Sequence, residues 1–180
     1  MISLRHLFSL LLGLLLLANG PVFAEADAQY RLAAGDVIRI TVFGEKELSL
    51  EEVRLTDAGT FSYPFVGEVR ANGLTARELE NLLVKNLKGD YLVDPRVTVS
   101  VLQYREFFIS GEVVKPGGYP YQPGLTLRRA VALAGGLTER ASENRITLIR
   151  DTDPSRTPVK ATLDTELQPG DTITIDQGFF

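Results

Sequence analysis

Two acidic pairs have the first claim to chemistry in this chain. Gly35-Asp36 and Gly170-Asp171 each sit in the same phrase, Leu32-Ala-Ala-Gly-Asp-Val-Ile-Arg-Ile near one end and Leu167-Gln-Pro-Gly-Asp-Thr-Ile-Thr-Ile near the other. Two carboxylates on facing walls of a cleft are the machinery of glycoside hydrolysis. The pairs also have a structural use, because Gly takes the positive φ of a tight turn and Asp caps the free amides there. Asp57, just before Gly59, reads the same way. The one histidine, His6, lies inside an apolar N-terminal run, and there is no cysteine. Beyond that run the chain has no Ser-His triad, no Cys nucleophile and no ordinary zinc site, so neither metal nor cofactor is expected.

Binding is the other chemistry on offer. Tyr63, Tyr119 and Tyr121 could lay aromatic faces on the C–H side of a sugar ring, or serve as core. Tyr119 and Tyr121 alternate in phase and could share a face. Arg128-Arg129 could hold carboxylates of acidic sugars or of a partner, or be solvated; bases in a first helical turn oppose the macrodipole.

The N-terminal run reads as a secretory leader over residues 1–24: Arg5 is the basic region, Leu7 to Ala18 the apolar region, and Val22-Phe23-Ala24 a small-residue cleavage site. Cleavage after Ala26 fits equally well, and an uncleaved anchor is the alternative. The apolar stretch is shorter than the roughly 20 residues a spanning helix needs. Loss of the leader removes Arg5 and no acid, which makes the remainder slightly more negative than the −4 of the whole chain. A mildly acidic chain gains nothing from counterion release on a polyanion, which argues against nucleic acid as a partner.

These residues must be positioned by two small modules, an α+β fold divided into residues 25–104 and 105–180. In residues 36–43, Ile38, Ile40 and Val42 alternate with Arg39 and Thr41, the period of a half-buried strand. Residues 56–60 form a hairpin turn between strand runs 53–55 and 61–66, with Pro64 at an edge or bulge. Thr75 and Glu78 make a capping box, and Leu79, Leu82, Leu83 and Leu87 follow at helical spacing up to Gly89. Val97, Val99 and Val101 mark the next strand. The second module has a strand over 107–114, a turn at Lys115-Pro116-Gly117-Gly118 and a short return through Tyr119 and Tyr121. Thr126 then caps a helix closed by Gly135-Gly136, and strands follow at 146–149, 159–163 and 172–175. Strand, turn, strand, helix and three strands resembles a β-grasp, a mixed sheet around one helix.

Several phrases, taken together, resemble a known family. Tyr30-Arg-Leu-Ala-Ala-Gly-Asp36, Asp57-Ala-Gly59, Tyr63-Pro-Phe-Val-Gly67, Gly73-Leu-Thr75 and Asp94-Pro-Arg-Val97 are similar to the polysaccharide export domain of Wza-type outer-membrane export proteins. Gly111-Glu-Val-Val-Lys-Pro116-Gly117, Leu125-Thr-Leu127, Ala134-Gly135-Gly136 and Pro169-Gly170-Asp171 resemble the soluble-ligand-binding β-grasp (SLBB) domain that follows it. The resemblance implies export of capsular polysaccharide or exopolysaccharide, a homo-oligomeric ring, and docking with an inner-membrane polysaccharide co-polymerase. It also implies β-grasp modules that contact the sugar chain or neighbouring subunits.

Three departures qualify that expectation. There is one β-grasp module, no lipid-bearing cysteine, and only Asp176-Gln-Gly-Phe-Phe180 after the last strand, where large members carry an amphipathic membrane-spanning helix. The expectation is therefore a periplasmic ring or adaptor without a lipid anchor, held at the outer membrane through a separate partner. Phe179-Phe180 is expected in a packing or subunit contact. The rival readings are a monomeric module that binds a glycan or other soluble ligand without transport, and a carboxylate-based hydrolase.

Overall fold

The first Gly-Asp turn launches strand β1 (Val37–Val42), whose alternation buries Ile38, Ile40 and Val42 and exposes Arg39 and Thr41. In this computed structural model, which describes residues 30–178, β1 is the centre of a three-stranded antiparallel sheet. Strand β2 (Leu50–Arg54) flanks it on one side and β5 (Val97–Gln103) on the other, with Ile38 opposite Val101, Ile40 opposite Val99 and Val42 opposite Val97. The expected leader and Phe179-Phe180 lie outside the described residues.

Helix α1 (Ala76–Leu87) forms where the capping box predicts it. The Thr75 hydroxyl accepts from the Glu78 amide and the Glu78 carboxylate accepts from the Thr75 amide. Leu79, Leu83 and Leu87 are buried, while Leu82 stays half-buried at the edge of the stripe. The helix packs on β5, and Glu80 accepts the Val99 amide at 2.9 Å.

The expected hairpin at residues 56–60 is a tight turn whose two arms part. Thr56 N–H donates to the Thr60 carbonyl, yet β2 pairs with β1 while β3 (Thr60–Tyr63) pairs with β4 (Gly67–Arg70). The hairpin lies one element later because Pro64, with no N–H, ends β3 and opens the β3–β4 turn. Asp57 is exposed and does not cap; the Thr56 hydroxyl holds the turn through the Thr60 amide and hydroxyl.

Beyond Tyr104, β6 (Phe107–Gly111), β7 (Gly117–Tyr119), β8 (Ala141–Ile149), β9 (Val159–Ala161) and β10 (Thr172–Gln177) form a second sheet in the order β7-β6-β10-β8-β9. β10 runs parallel to β6 and every other pair is antiparallel, the mixed sheet of a β-grasp. The mixed character belongs to this module alone. Its core gathers Phe107, Ile109, Ile146, Leu148, Ile173 and Ile175 under helix α2 (Leu127–Leu133), which buries Leu127, Ala130 and Val131. Each large side chain stabilises the fold by about 1.5–3 kcal/mol through burial.

Three local expectations change here. β6 stops at Gly111 instead of reaching Val114, because Gly111 turns to a φ of 83° against the Ile175 carbonyl. Gly117 and Gly118 belong to β7, so the turn around Pro116 comes before them. Thr126 is the N-terminal flanking residue of α2, but its hydroxyl makes no capping bond. The free amides of Leu127 and Arg128 donate instead to the carbonyls of Thr165 and Leu163. At the other end Gly135 and Gly136 close the helix, and the Lys115 amide donates to the Ala134 carbonyl, tying the β6–β7 loop to α2.

Candidate functional site

The two Gly-Asp phrases fold alike. In each, the aspartate amide donates to the carbonyl three residues back, and its Oδ2 accepts the amide of that same residue: Ala33 for Asp36 at 2.9 Å, Gln168 for Asp171 at 2.7 Å. Both aspartates are fully buried. Gly35 and Gly170, with φ of 87° and 85°, make the turns that leave room for this.

Each buried carboxylate takes an arginine from elsewhere in the chain. Arg105 donates its backbone amide to Asp36 Oδ1 at 2.9 Å and brings its guanidinium to 3.7 Å from Oδ2. The same guanidinium pairs with Asp151 at 3.0 Å. Asp171 receives Arg150 Nη1 at 2.7 Å, and Arg150 also donates to the Glu166 carbonyl. Burial pushes the Asp171 carboxyl up from its ordinary 3.8, while the Gln168 amide and Arg150 pull it down. With the folded value raised, this site's contribution to stability is present below pH 3.8 and is lost as pH rises through the raised value.

Both turns border one groove. A Cβ on Gly35 would lie 3.7 Å from the Arg105 Cβ, and one on Gly170 would lie 2.8 Å from the Arg105 Nε, so Arg105 runs between the two phrases. The groove is open and holds about 400 Å3, with Arg54, Gln103, Glu106 and Phe108 along its sides. Arg54 donates to the Gly35 carbonyl at 2.8 Å. The two aspartates behind the turns are fully buried and committed to amides and arginines, which makes them structural rather than a facing acid pair.

None of the five expected ligand residues lines this groove. Tyr63 is core: it is 2% exposed, its hydroxyl donates to the Leu48 carbonyl, and burial pushes the phenol up to about 12. It lies in phase with Phe61 on the buried face of β3, so its ring points inward instead of presenting a platform. Tyr119 stacks on Phe107, centroids 5.9 Å apart, and donates its hydroxyl to the Lys115 carbonyl. Tyr121 meets Tyr104 edge to face at 5.5 Å, and both Tyr119 and Tyr121 pack on the second core. Arg128 pairs with Asp164 at 3.0 Å on the surface, and Arg129 reaches the Gly124 carbonyl. Sequence reading missed Arg105, Arg150 and Phe108; the first two are unremarkable until the fold brings 69 or 21 residues of separation to contact distance.

Other exposed apolar side chains stand on the first module, outside this groove's lining. Phe43 is 71% exposed with the Arg96 guanidinium carbon 4.5 Å above its ring. Phe65, at the tip of the β3–β4 turn with a φ of 63°, pairs its ring with Tyr91 at 5.6 Å, and the Tyr91 hydroxyl donates to the Phe65 carbonyl. Val93, two residues on, is almost fully exposed. A bulky residue at positive φ is costly, so the backbone spends energy to hold an aromatic ring in water.

Comparison with known proteins bears on what these surfaces serve. Residues 24–102 match the family described as polysaccharide biosynthesis/export protein, and residues 107–160 match the SLBB domain. The chain belongs to the polysaccharide export family, with an SLBB domain behind the export domain. It is 39% identical over 148 residues to the exopolysaccharide production protein ExoF of Rhizobium meliloti (strain 1021), covering 76% of this chain. The chain spans about a third, 34%, of that relative's length. Among the described residues no helix is long and apolar enough to cross a membrane, and no group of three His, Cys, Asp or Glu side chains could hold a metal ion.

Proposed function

We propose that this chain is a non-enzymatic component of exopolysaccharide export that works in the periplasm and self-associates into a ring around the moving polymer. The observation that carries the reading is the order of the two matched domains, export then SLBB, along residues 24–160. The burial of Asp36 and Asp171 behind their turns, each held by an amide and an arginine, supports action without bond chemistry. The exposed apolar side chains of Phe43, Phe65, Tyr91 and Val93 are those this reading assigns to contact between subunits, since exposed apolar surface serves protein contacts.

The mechanism is confinement. A ring of copies presents repeated weak polar and aromatic contacts, each too weak to stop a polymer that must keep moving. Docking to an inner-membrane co-polymerase and to a separate outer-membrane partner completes the path, and a leader removed after export places the chain between them. Deleting the gene in its host and measuring carbohydrate in the medium tests the reading. Secreted polymer should fall to a small fraction of the parent's and return with the intact gene; undiminished secretion without the gene would refute it.

A further inference from the structure

Phe108 is an exposed apolar residue that sits in a concavity. It lies on the face of β6 opposite α2, half exposed, in the wall of the groove between the two Gly-Asp turns. The strand register places Gly118 on one side of it and Thr172 on the other. At Gly118 a Cβ would come within 3.0 Å of the Phe108 ring and 2.6 Å of the Glu106 carboxylate. The missing side chain lets the ring lie against the β7 backbone, so one flank is backed by sheet while the rest of the ring stays open to solvent.

The groups around that ring are of a particular kind. Gln103, Glu106 and Arg54 are exposed, planar and polar, and the last two carry opposite charges. A pyranose ring has the complementary pattern: C–H bonds on its faces and hydroxyls at its rim, which both donate and accept. We propose that this groove is a saccharide cleft, in which one sugar ring of a glycan segment lies on Phe108 while Gln103, Glu106 and Arg54 bond its hydroxyls. The proposal rests on the export reading and adds where this chain touches the polymer.

Other occupants fit less well. A protein partner needs roughly 1,000 Å2 of contact with an apolar centre, and Phe108 is the single large exposed apolar residue in this lining. A polyanion would meet Glu106 and Asp151 as well as the bases. The volume of about 400 Å3 lies at the lower end of small-molecule sites, about 300–1,000 Å3, and suits one or two sugar rings.

The test is a titration of isotope-labelled protein, followed by amide NMR, with oligosaccharides cut from the polymer its host secretes. Shifts should gather at Gln103, Glu106, Phe108 and Gly118 and saturate in the millimolar range. Phe108→Ala should weaken binding about 10-fold and Gln103→Ala should weaken it measurably, with Leu133→Ala, an exposed apolar residue on α2 outside the groove, leaving it unchanged. Both groove positions are exposed, so the variants should fold, which their amide spectra check. Shifts centred elsewhere, no shifts at any concentration, or equal binding by the Phe108→Ala variant would overturn the cleft. That failure stays separate from the export reading, which falls only if secretion persists without the gene.

Discussion

Replacing Asp36 with alanine should destabilise the protein by about 3–5 kcal/mol, the range for removing one partner of a buried charged pair. The carboxylate accepts the amides of Ala33 and Arg105 and faces the Arg105 guanidinium, whose side chain is 14% exposed. Without it two amides lose their acceptor at a site closed to water. The guanidinium keeps Asp151, so the loss is not total. Asp36→Asn retains one acceptor and should cost less. Asp57→Ala is the control: Asp57 is exposed with no side-chain bond holding its turn, and surface changes of this sort fall within about 0.5 kcal/mol. Urea unfolding of the three variants checks the order, and an Asp36→Ala midpoint equal to that of Asp57→Ala would remove the network from the account.

The second large effect belongs to Gly111. A Cβ there would lie 2.1 Å from the Ile175 carbonyl oxygen, on backbone with a φ of 83°. That carbonyl also accepts the Glu112 amide at 2.9 Å, so it cannot move aside without losing a hydrogen bond. Left-handed backbone costs about 1–3 kcal/mol for a side chain and overpacking a similar amount. Gly111→Ala should therefore lower stability by roughly 2–6 kcal/mol and loosen the parallel pairing of β6 with β10. Gly117→Ala, where nothing lies within 4 Å of the added atom, should be nearly neutral. Thermal unfolding compares them, and equal melting temperatures would contradict the close approach.

Which features could be read from residues alone follows from the range of the forces involved. The capping box at Thr75 and Glu78 was legible because both bonds close within one helical turn. The alternation of Ile38, Ile40 and Val42 was legible because a half-buried sheet face imposes its period directly. The Gly-Asp turns were legible as turns, since Asp36 and Asp171 bond amides three residues away. Their arginines were not, because nothing local marks Arg105 or Arg150 as the one that arrives.

The surroundings of the expected ligand residues depend on the same long-range assembly. Tyr63 could be platform or core, and its phase with Phe61 puts both on the buried face of β3. Thr126 occupies a capping position, but carbonyls from Leu163 and Thr165 arrive first. Phe107 and Phe108 are chemically identical neighbours, and only the side of the sheet that α2 covers decides which is buried. Exposure of Phe108 is thus a property of the assembled module and not of its own strand.

Self-association is the property on which a ring around the polymer depends. Native mass spectrometry of the purified protein over a range of concentrations should show a closed oligomer that Phe65→Asp with Val93→Asp breaks into folded monomers. A protein that stays monomeric at every concentration, while its host still depends on it for secretion, would contradict the ring.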